Sequence, residues 1–203
     1  MLPFDVILFD VGGVLLTNGW DHRERAAAVA QFALEPEPFE VRHLTVVDAW
    51  ERGAIDLNAY LDVAVFYEPR PFSREDFFAF MLAQSQPLPN GALGIVRELA
   101  ASNACMLGTL NNEARETNDY RFATFGLRQY FKVALSSCYV GLRKPDPAIY
   151  RRALDILGTP PARTLFIDDR PENAAAAAGA GMRTIRFEGE DTLHRELRGL
   201  GVL

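Results

Sequence analysis

Residues 4–13 read FDVILFDVGG, and this stretch decides the fold. A nearly continuous apolar run over residues 4–9 ends at Asp10 and two glycines. Such a run predicts a strand buried on both faces of a parallel sheet. The Asp10 carboxylate would then stand at the carboxyl end of a central strand, where open α/β sheets place their ligand sites. The alternative is that Asp10 only caps the turn that follows.

The second half of the chain alternates strand patterns with helix patterns. This βαβ rhythm predicts an α/β fold: a three-layer, Rossmann-like parallel sheet covered by helices, with right-handed crossovers. Strands are predicted over residues 104–109, 132–136, 164–167 and 182–187. Helices are predicted over residues 91–101, 113–125, 146–157 and 171–180, followed by a closing helix with Leu193, Leu197 and Leu200 on one face.

Between the first strand and residue 90 the sequence shows only helix patterns. Helices are predicted over residues 21–34, 38–52, 57–67 and 74–84. Gly53 has the position of a C′ glycine, Asp56 that of an N-cap, and Ser73 with Asp76 resembles a capping box. We therefore expect a helical cap domain over residues 18–87, inserted into an α/β core domain of residues 1–17 and 88–203. Hinges are expected near residues 16–18 and 87–89.

Composition narrows the class of partner. The chain has 203 residues, 49% of them hydrophobic, and a net charge of -6, which disfavours nucleic acid and anionic membranes as partners. A small molecule is the expected partner, and the oligomeric state stays open. Cys105 and Cys138 have no metal-ligand spacing and suggest buried thiols in a reducing compartment. The first residues lack a basic leader and a long apolar segment, so a cytoplasmic location is expected.

Asp168 and Asp169 end the apolar run TLFI as Asp10 ends its own run. Adjacent carboxylates at a strand terminus repel each other unless a cation lies between them and Asp10, and hard oxygen ligands suit Mg²⁺. An additional or alternative role is that Asp169 caps the helix that Pro171 opens. The sequence therefore predicts a magnesium site at this edge of the sheet.

Two further residues are candidates for holding phosphate. Thr109 closes a predicted strand, and its hydroxyl, together with the main-chain N–H groups after it, could bind phosphate oxygens. Lys144 is one of only two lysines among 21 basic residues, and the Pro-Asp-Pro after it fixes a helix entrance. An ammonium held there could neutralise both an aspartate nucleophile and a phosphate.

Four motifs occur in one order along the chain: FDVGGVL, LGTLN, GLRKPDP and FIDD. Together they resemble the haloacid dehalogenase superfamily of phosphatases and related hydrolases, over essentially the whole chain. The resemblance implies a magnesium-dependent phosphatase that forms an aspartyl phosphate, with the helical insertion closing over the substrate. It implies three catalytic residues: Asp10 as nucleophile, Thr109 as phosphate binder and Lys144 as charge stabiliser. The implied substrate-binding residues are Thr109, Leu110, Asn111 and Lys144, although Leu110 stands where relatives often have asparagine. The implied metal site is formed by Asp10, the Gly12 carbonyl, Asp168 and Asp169.

Gly12 departs from the pattern of most phosphatases of this superfamily, which have a second aspartate there as general acid and base. Such a group typically contributes ~10²- to 10⁴-fold to the rate. Either another group replaces it, with Asn18, Asp21 and His22 as candidates, or the substrate has an acidic leaving group, as in a sugar 1-phosphate or an acyl phosphate. Substrate-selecting side chains are expected in the insertion, at Trp20, His22, His43 and Trp50.

Two rival interpretations stay open. A 2-haloacid dehalogenase also lacks the second aspartate, but it needs no metal and gives no reason for the paired Asp168 and Asp169. A catalytically weak phosphate-binding protein of the same fold would bind magnesium without turnover. A phospho-receiver module is disfavoured, because its acidic pair precedes its phosphorylated aspartate and it has no helical insertion.

Overall fold

The computed structural model describes residues 3–203 and contains a five-stranded, all-parallel sheet. The strand order is β3-β2-β1-β4-β5. This confirms the predicted α/β fold with β1 at the centre of the sheet. The strands are β1 (Val6–Phe9), β2 (Met106–Asn111), β3 (Val133–Ser136), β4 (Thr164–Asp168) and β5 (Arg183–Arg186).

Helices cover both faces of the sheet. Side chains alternate along β1, so that Ile7 and Phe9 belong to the apolar cluster on one face, whereas Val6 and Leu8 belong to the cluster on the other. The sheet is therefore the middle of three layers. From residue 93 onward the helices are α5 (Leu93–Ser102), α6 (Arg115–Thr124), α7 (Ser137–Val140), α8 (Pro147–Leu157), α9 (Pro171–Gly179) and α10 (Glu190–Gly199).

Four helices lie between β1 and α5: α1 (His22–Gln31), α2 (Pro36–Glu51), α3 (Leu57–Ala64) and α4 (Arg74–Ala83). They share an apolar cluster that includes Trp50, Tyr60 and Phe77. Their termini follow the predicted chemistry: Asp56 caps α3, a capping box opens α4 at Ser73, and the residue after the α2 C-cap is a glycine with φ +69. The division into cap and core domains stays a prediction.

The insertion is joined to the rest of the chain by two adjacent segments. Leu16 and Pro87 form an isolated antiparallel bridge, and the Thr17 amide donates to the carbonyl of Gln86 at 2.8 Å. Ion pairs also cross between the insertion and the sheet region, among them Arg170 with Asp21 at 2.9 Å. Because Arg170 directly follows the carboxyl end of β4, this ion pair places the insertion over the carboxyl ends of the strands.

Local boundaries differ from the prediction at several elements. Strand β2 runs over Met106–Asn111 instead of residues 104–109, so Thr109 lies inside the strand and does not close it. Helix α3 ends at Ala64, three residues earlier than predicted. Helix α2 begins at Pro36 instead of residue 38; both positions are prolines, and either suits the first helical turn. Helix α1 ends at Gln31, three residues earlier than predicted. The four-residue helix α7 after β3 was not predicted, because one turn of helix has no periodic pattern to read. Within the described residues, no helix is long and apolar enough to span a membrane.

Candidate active site

Asp10 and the Asp168–Asp169 pair meet at the carboxyl end of the sheet. Phe9 is in register with Ile167 of β4 and with Thr109 of β2, so the residues that follow these positions emerge side by side. The Asp10 amide donates to the carbonyl of Ile167 at 2.8 Å, which fixes Asp10 beside β4. The sheet register thus brings these predicted residues together.

Lys144 joins two of these carboxylates. Its ammonium Nζ lies 2.9 Å from Oδ2 of Asp10 and 2.7 Å from Oδ2 of Asp168, and all three side chains are buried. Burial alone disfavours the ammonium, but the two carboxylates raise the pKa of Lys144 above its usual value. Lys144 therefore stays charged between the two aspartates.

Asn112 holds the main chain of Lys144, a role that the sequence did not suggest. Its Nδ2 donates to the Lys144 carbonyl at 2.8 Å, and its Oδ1 accepts from the Lys144 amide at 2.8 Å. The residue directly follows the LGTLN motif, which is the only sign the sequence offers. A two-bond clamp across 32 positions fixes where the lysine side chain starts.

Asp10, Asp168 and Asp169 can offer one oxygen each, and these three atoms lie within 4.8 Å of one another. Asp168 is oriented by its own contacts, because Oδ1 accepts from the Arg170 amide at 2.9 Å and from Nδ2 of Asn173 at 3.0 Å. Asp169 Oδ1 is buried without a hydrogen-bond partner in the described part of the chain. An unpartnered buried oxygen beside two carboxylates fits a hard divalent cation.

The remaining predicted metal ligand is a main-chain oxygen. Gly12 borders the cavity beside Asp10, and within residues 3–203 no hydrogen bond to its carbonyl is present.

Asp169 does not cap α9 with its side chain; the N-cap is Arg170, which makes no side-chain cap bond. That alternative role for Asp169 is therefore wrong, and its carboxylate remains available to a cation.

The acidic groups shift one another's protonation. Burial raises the pKa of Asp10, Lys144 opposes this shift, and Asp168 adds to it. Burial and the neighbouring Asp168 likewise raise the pKa of Asp169. Positive charge placed among these carboxylates would offset the repulsion and favour their ionised forms.

The predicted phosphate-binding residues of the second motif, LGTLN, differ in how far their side chains are available to a phosphate. Thr109 is fully buried, and its Oγ1 has no partner among the described residues. The Leu110 side chain lies in the apolar cluster beneath α8, so only its main chain could face a phosphate. Asn111 is buried and donates to Asn118 at 3.1 Å. The cavity beside Asp10 is instead lined by Asn112 from this segment.

Near Gly12, two other side chains occupy the space that a side chain at that position would enter. A Cβ there would come within 3.0 Å of Asn18 Oδ1 and 3.8 Å of Nη1 of Arg121. Arg121 is buried, pairs with Glu113, and donates to the carbonyl of Thr17. Of the suggested substitutes for the second aspartate, Asn18 and Asp21 line the cavity, whereas the His22 side chain is 75% exposed.

A cavity of about 400 Å³ rises from Asp10 and Lys144 towards the insertion. Helix α2 contributes one wall through His43, Leu44, Val47 and Glu51, which recur at helical spacing. Burial raises the pKa of Glu51 to about 7, although Arg143 opposes this. Trp20 and His43 line the cavity as expected, whereas Trp50 belongs to the apolar cluster of the insertion.

Comparison with known proteins gives one family. A family model described as haloacid dehalogenase-like hydrolase matches residues 4–181. The chain is 30% identical to Protein CbbY of Cereibacter sphaeroides, over 96% of this chain and 89% of that protein. It is 25% identical to a phosphoglycolate phosphatase of Thiobacillus denitrificans, over 89% of this chain and 81% of that protein.

Other matches are partial or show the fold alone. A chloroplast flavin mononucleotide hydrolase of Arabidopsis thaliana is 41% identical over 37% of this chain, and the match spans only 31% of that relative's length. Among solved structures, a magnesium complex of a HAD family enzyme from Bacteroides thetaiotaomicron superimposes with a TM-score of 0.80 at 21% identity, covering 97% and 99% of the chains. An L-2-haloacid dehalogenase of Xanthobacter autotrophicus superimposes with a TM-score of 0.62 at 18% identity, and the match covers 98% of this chain and 84% of that one.

Proposed function

The chain belongs to the haloacid dehalogenase-like hydrolase family, and from this premise we propose that it is a magnesium-dependent phosphatase acting on a small phosphomonoester through an aspartyl phosphate at Asp10. One observation carries the proposal: the Lys144 ammonium lies 2.9 Å from Asp10 in a cluster with the Asp168–Asp169 pair. A carboxylate held beside positive charge, at the base of a cavity, is suited to attack an anionic phosphorus centre.

The residues divide into attacking, neutralising and metal-holding groups. Asp10, Asp168, Asp169 and the Gly12 carbonyl would hold Mg²⁺, which when bound supplies positive charge for the phosphate oxygens. Lys144 balances the charge of Asp10 and of the phosphate that approaches it. Thr109 and the main chain of residues 110–111 are proposed to bind the remaining phosphate oxygens, and Asn112 positions Lys144.

The reaction has two displacements at phosphorus. A carboxylate oxygen of Asp10 forms the new P–O bond while the bond to the leaving oxygen breaks. Water then attacks the aspartyl phosphate, which releases inorganic phosphate and restores the Asp10 carboxylate. Gly12 has no side chain to donate a proton, and the neighbouring Arg121 guanidinium can stabilise negative charge but does not give up its proton. The rate should therefore depend on the acidity of the leaving group.

The test is hydrolysis of a panel of phosphate esters and acetyl phosphate, with Mg²⁺ and with EDTA, beside the Asp10→Asn variant. We expect hydrolysis only with Mg²⁺, and a loss of at least ~10³-fold in Asp10→Asn, because removal of a covalent nucleophile leaves only binding and electrostatic effects. The exposed Asp155 on α8 provides the matched control Asp155→Asn. Activity that survives in Asp10→Asn removes the proposed nucleophile.

The rival functions are tested in the same preparation. The similarity to a haloacid dehalogenase is one of fold alone, at 18% sequence identity. A dehalogenase that needs no metal would also give the buried, unpartnered Oδ1 of Asp169 no role. Chloride release from 2-chloropropionate in EDTA would support that rival. Magnesium binding without turnover of any ester would support the catalytically weak phosphate-binding protein. We also propose a cytoplasmic location, because both cysteines are free thiols, although Cys105 is half-buried and not buried as expected.

A further inference from the structure

The arginines of the cavity are neutralised within the protein. Each of the four that line it has a carboxylate partner, so none of these charges is unpaired, although Nε of Arg121 and Nε of Arg143 have no hydrogen-bond partner among the described residues. A second anionic group on a bound substrate would meet paired cations and unfavourable carboxylates. The pairs are Arg25 with Glu40 at 2.8 Å, Arg121 with Glu113, Arg143 with Asp48 at 3.0 Å and Glu51 at 2.7 Å, and Arg170 with Asp21 at 2.9 Å.

A chain of hydrogen bonds through Trp20 and Tyr60 fixes which nitrogen of His43 carries the hydrogen. The indole Nε1–H of Trp20 donates to the Tyr60 hydroxyl at 2.8 Å, and this hydroxyl lies 2.9 Å from Nδ1 of His43. Tyr60 is fully buried, and among the described residues Nδ1 is the only acceptor for its hydrogen. Tyr60 therefore donates to Nδ1, which places the hydrogen of a neutral His43 on Nε2.

His43 is held neutral and rigid. Burial lowers the pKa of His43 to about 4, and Arg25 adds to this effect. The ring stacks on Phe39 at a centroid distance of 6.3 Å and meets Tyr60 edge-on. Nε2 has no hydrogen-bond partner among residues 3–203, although the ring borders the cavity. Helix α2 thus offers an oriented, uncharged N–H donor at His43 on its side of the cavity.

We propose that the His43 wall of the cavity is a specificity site for an uncharged, hydroxyl-bearing leaving group, whose oxygen accepts from Nε2–H of His43. This inference rests on the proposed phosphatase function, since it describes the part of the ester beyond the phosphate. An apolar group would leave a buried donor without a partner, which is costly. A carboxylated or doubly phosphorylated group would lack a free cation.

Three esters with primary alkyl leaving groups separate these classes, and comparison of each ester between the wild-type protein and the His43 variants cancels their difference in leaving-group acidity. Glycerol 1-phosphate bears neutral hydroxyls, propyl phosphate is apolar, and 3-phosphoglycerate bears a carboxylate. We expect the kcat/KM of the wild-type protein for glycerol 1-phosphate to exceed that for each of the other two by roughly tenfold or more, the size typical of one buried polar contact. A preference for 3-phosphoglycerate, or equal values for all three, would overturn the proposal.

Variants of His43 test the donor itself. His43→Phe keeps a flat ring beside Phe39 but has no donor, so the ratio of kcat/KM for glycerol 1-phosphate to propyl phosphate should fall about tenfold. His43→Gln retains an N–H donor and should recover part of the ratio. Tyr60→Phe keeps the imidazole but no longer fixes its tautomer, so this ratio should be intermediate. This variant still tests the donor if His43→Phe does not fold. His194→Phe on α10, remote from the cavity, is the control.

The experiments distinguish failure of this inference from failure of the proposed function. If the protein hydrolyses neither acetyl phosphate nor any ester with Mg²⁺, the phosphatase proposal fails and this inference with it. If it hydrolyses them but His43→Phe lowers all three esters by the same factor, His43 has only a structural role. In that case the specificity site is wrong and the phosphatase proposal stands.

Discussion

Gly12 and Arg121 are neighbours across the base of the cavity, with Nη1 of Arg121 3.8 Å from the position that a Cβ on Gly12 would occupy. Arg121 is buried and already paired with Glu113. The place of a second aspartate is therefore next to a guanidinium. An acid restored at this position would be bound as a carboxylate and would be a poor proton donor.

The first prediction concerns the variant Gly12→Asp. The new Cβ would press on Asn18 Oδ1 at 3.0 Å, and the carboxylate would compete with Glu113 for Arg121. We expect no gain in kcat for alkyl phosphates, because Arg121 lowers the pKa of the new acid. In Gly12→Asp with Arg121→Gln, the acid should regain its proton and kcat should rise relative to the single variant. A gain of ~10²-fold or more in Gly12→Asp alone, the effect of a working general acid, would contradict this account.

The second prediction concerns Gly13, which has φ +73 and packs against the Asp169 carboxylate. A methyl group there would overlap this carboxylate and push it out of the acidic cluster. We expect Gly13→Ala to weaken Mg²⁺ binding, measured by calorimetry, by at least about tenfold, as for loss of a ligand's orientation. Gly158→Ala has the same left-handed strain at φ +61 but open space around it, and it should bind Mg²⁺ normally. Equal affinities in both variants would mean that Asp169 is not a ligand.

Much of the fold was predictable because its signals are local. The ends of β1 and β4 are marked by an apolar run followed by carboxylates, and the helices of the insertion by caps such as Asp56 and Ser73. The observed bounds of most elements lie within a few residues of the predicted ones. The short α7 and the early start of α2 escaped, because one-turn helices and proline-led first turns lack a periodic apolar face.

The candidate site was predictable where a sequence motif marks the residue, and not where the contacts involve residues outside the motifs. Asp10, Asp168 and Lys144 converge as expected, since parallel strands bring their carboxyl ends together. The Asn112 clamp on Lys144 and the hydrogen-bond chain Trp20–Tyr60–His43 join residues 17 to 40 positions apart. Such pairs follow from three-dimensional packing, which spacing in a single sequence does not show.

The third prediction concerns the Asn112 clamp. Asn112→Ala removes both hydrogen bonds to the Lys144 main chain and should lower stability by about 1–3 kcal/mol, as for buried groups left unpaired. Because the ammonium would no longer be held at 2.9 Å from Asp10, kcat should fall more than KM changes. Beryllium trifluoride trapping of Asp10 should weaken in parallel. Asn58→Ala, in α3 and outside the cavity, is the control; an unchanged kcat in a destabilised Asn112→Ala protein would make the clamp structural only.

The last prediction concerns the pH dependence of stability through His43. Burial lowers the folded pKa of His43 to about 4, below the ordinary histidine pKa of 6.5, so the folded state keeps the ring neutral while the unfolded chain takes up a proton. Stability present above pH 6.5 is therefore lost as the pH falls towards 4, by at most about 1.4 kcal/mol per pH unit. Arg25 and Arg143 lower this pKa, whereas Glu40 and Asp21 raise it. His43→Gln has no proton to gain there, so the difference in unfolding free energy between wild type and variant, measured in urea, should shrink across this window. A constant difference would mean that His43 is protonated in the folded protein, and a charged ring with both nitrogens as donors would not fit the hydrogen-bond chain Trp20–Tyr60–His43.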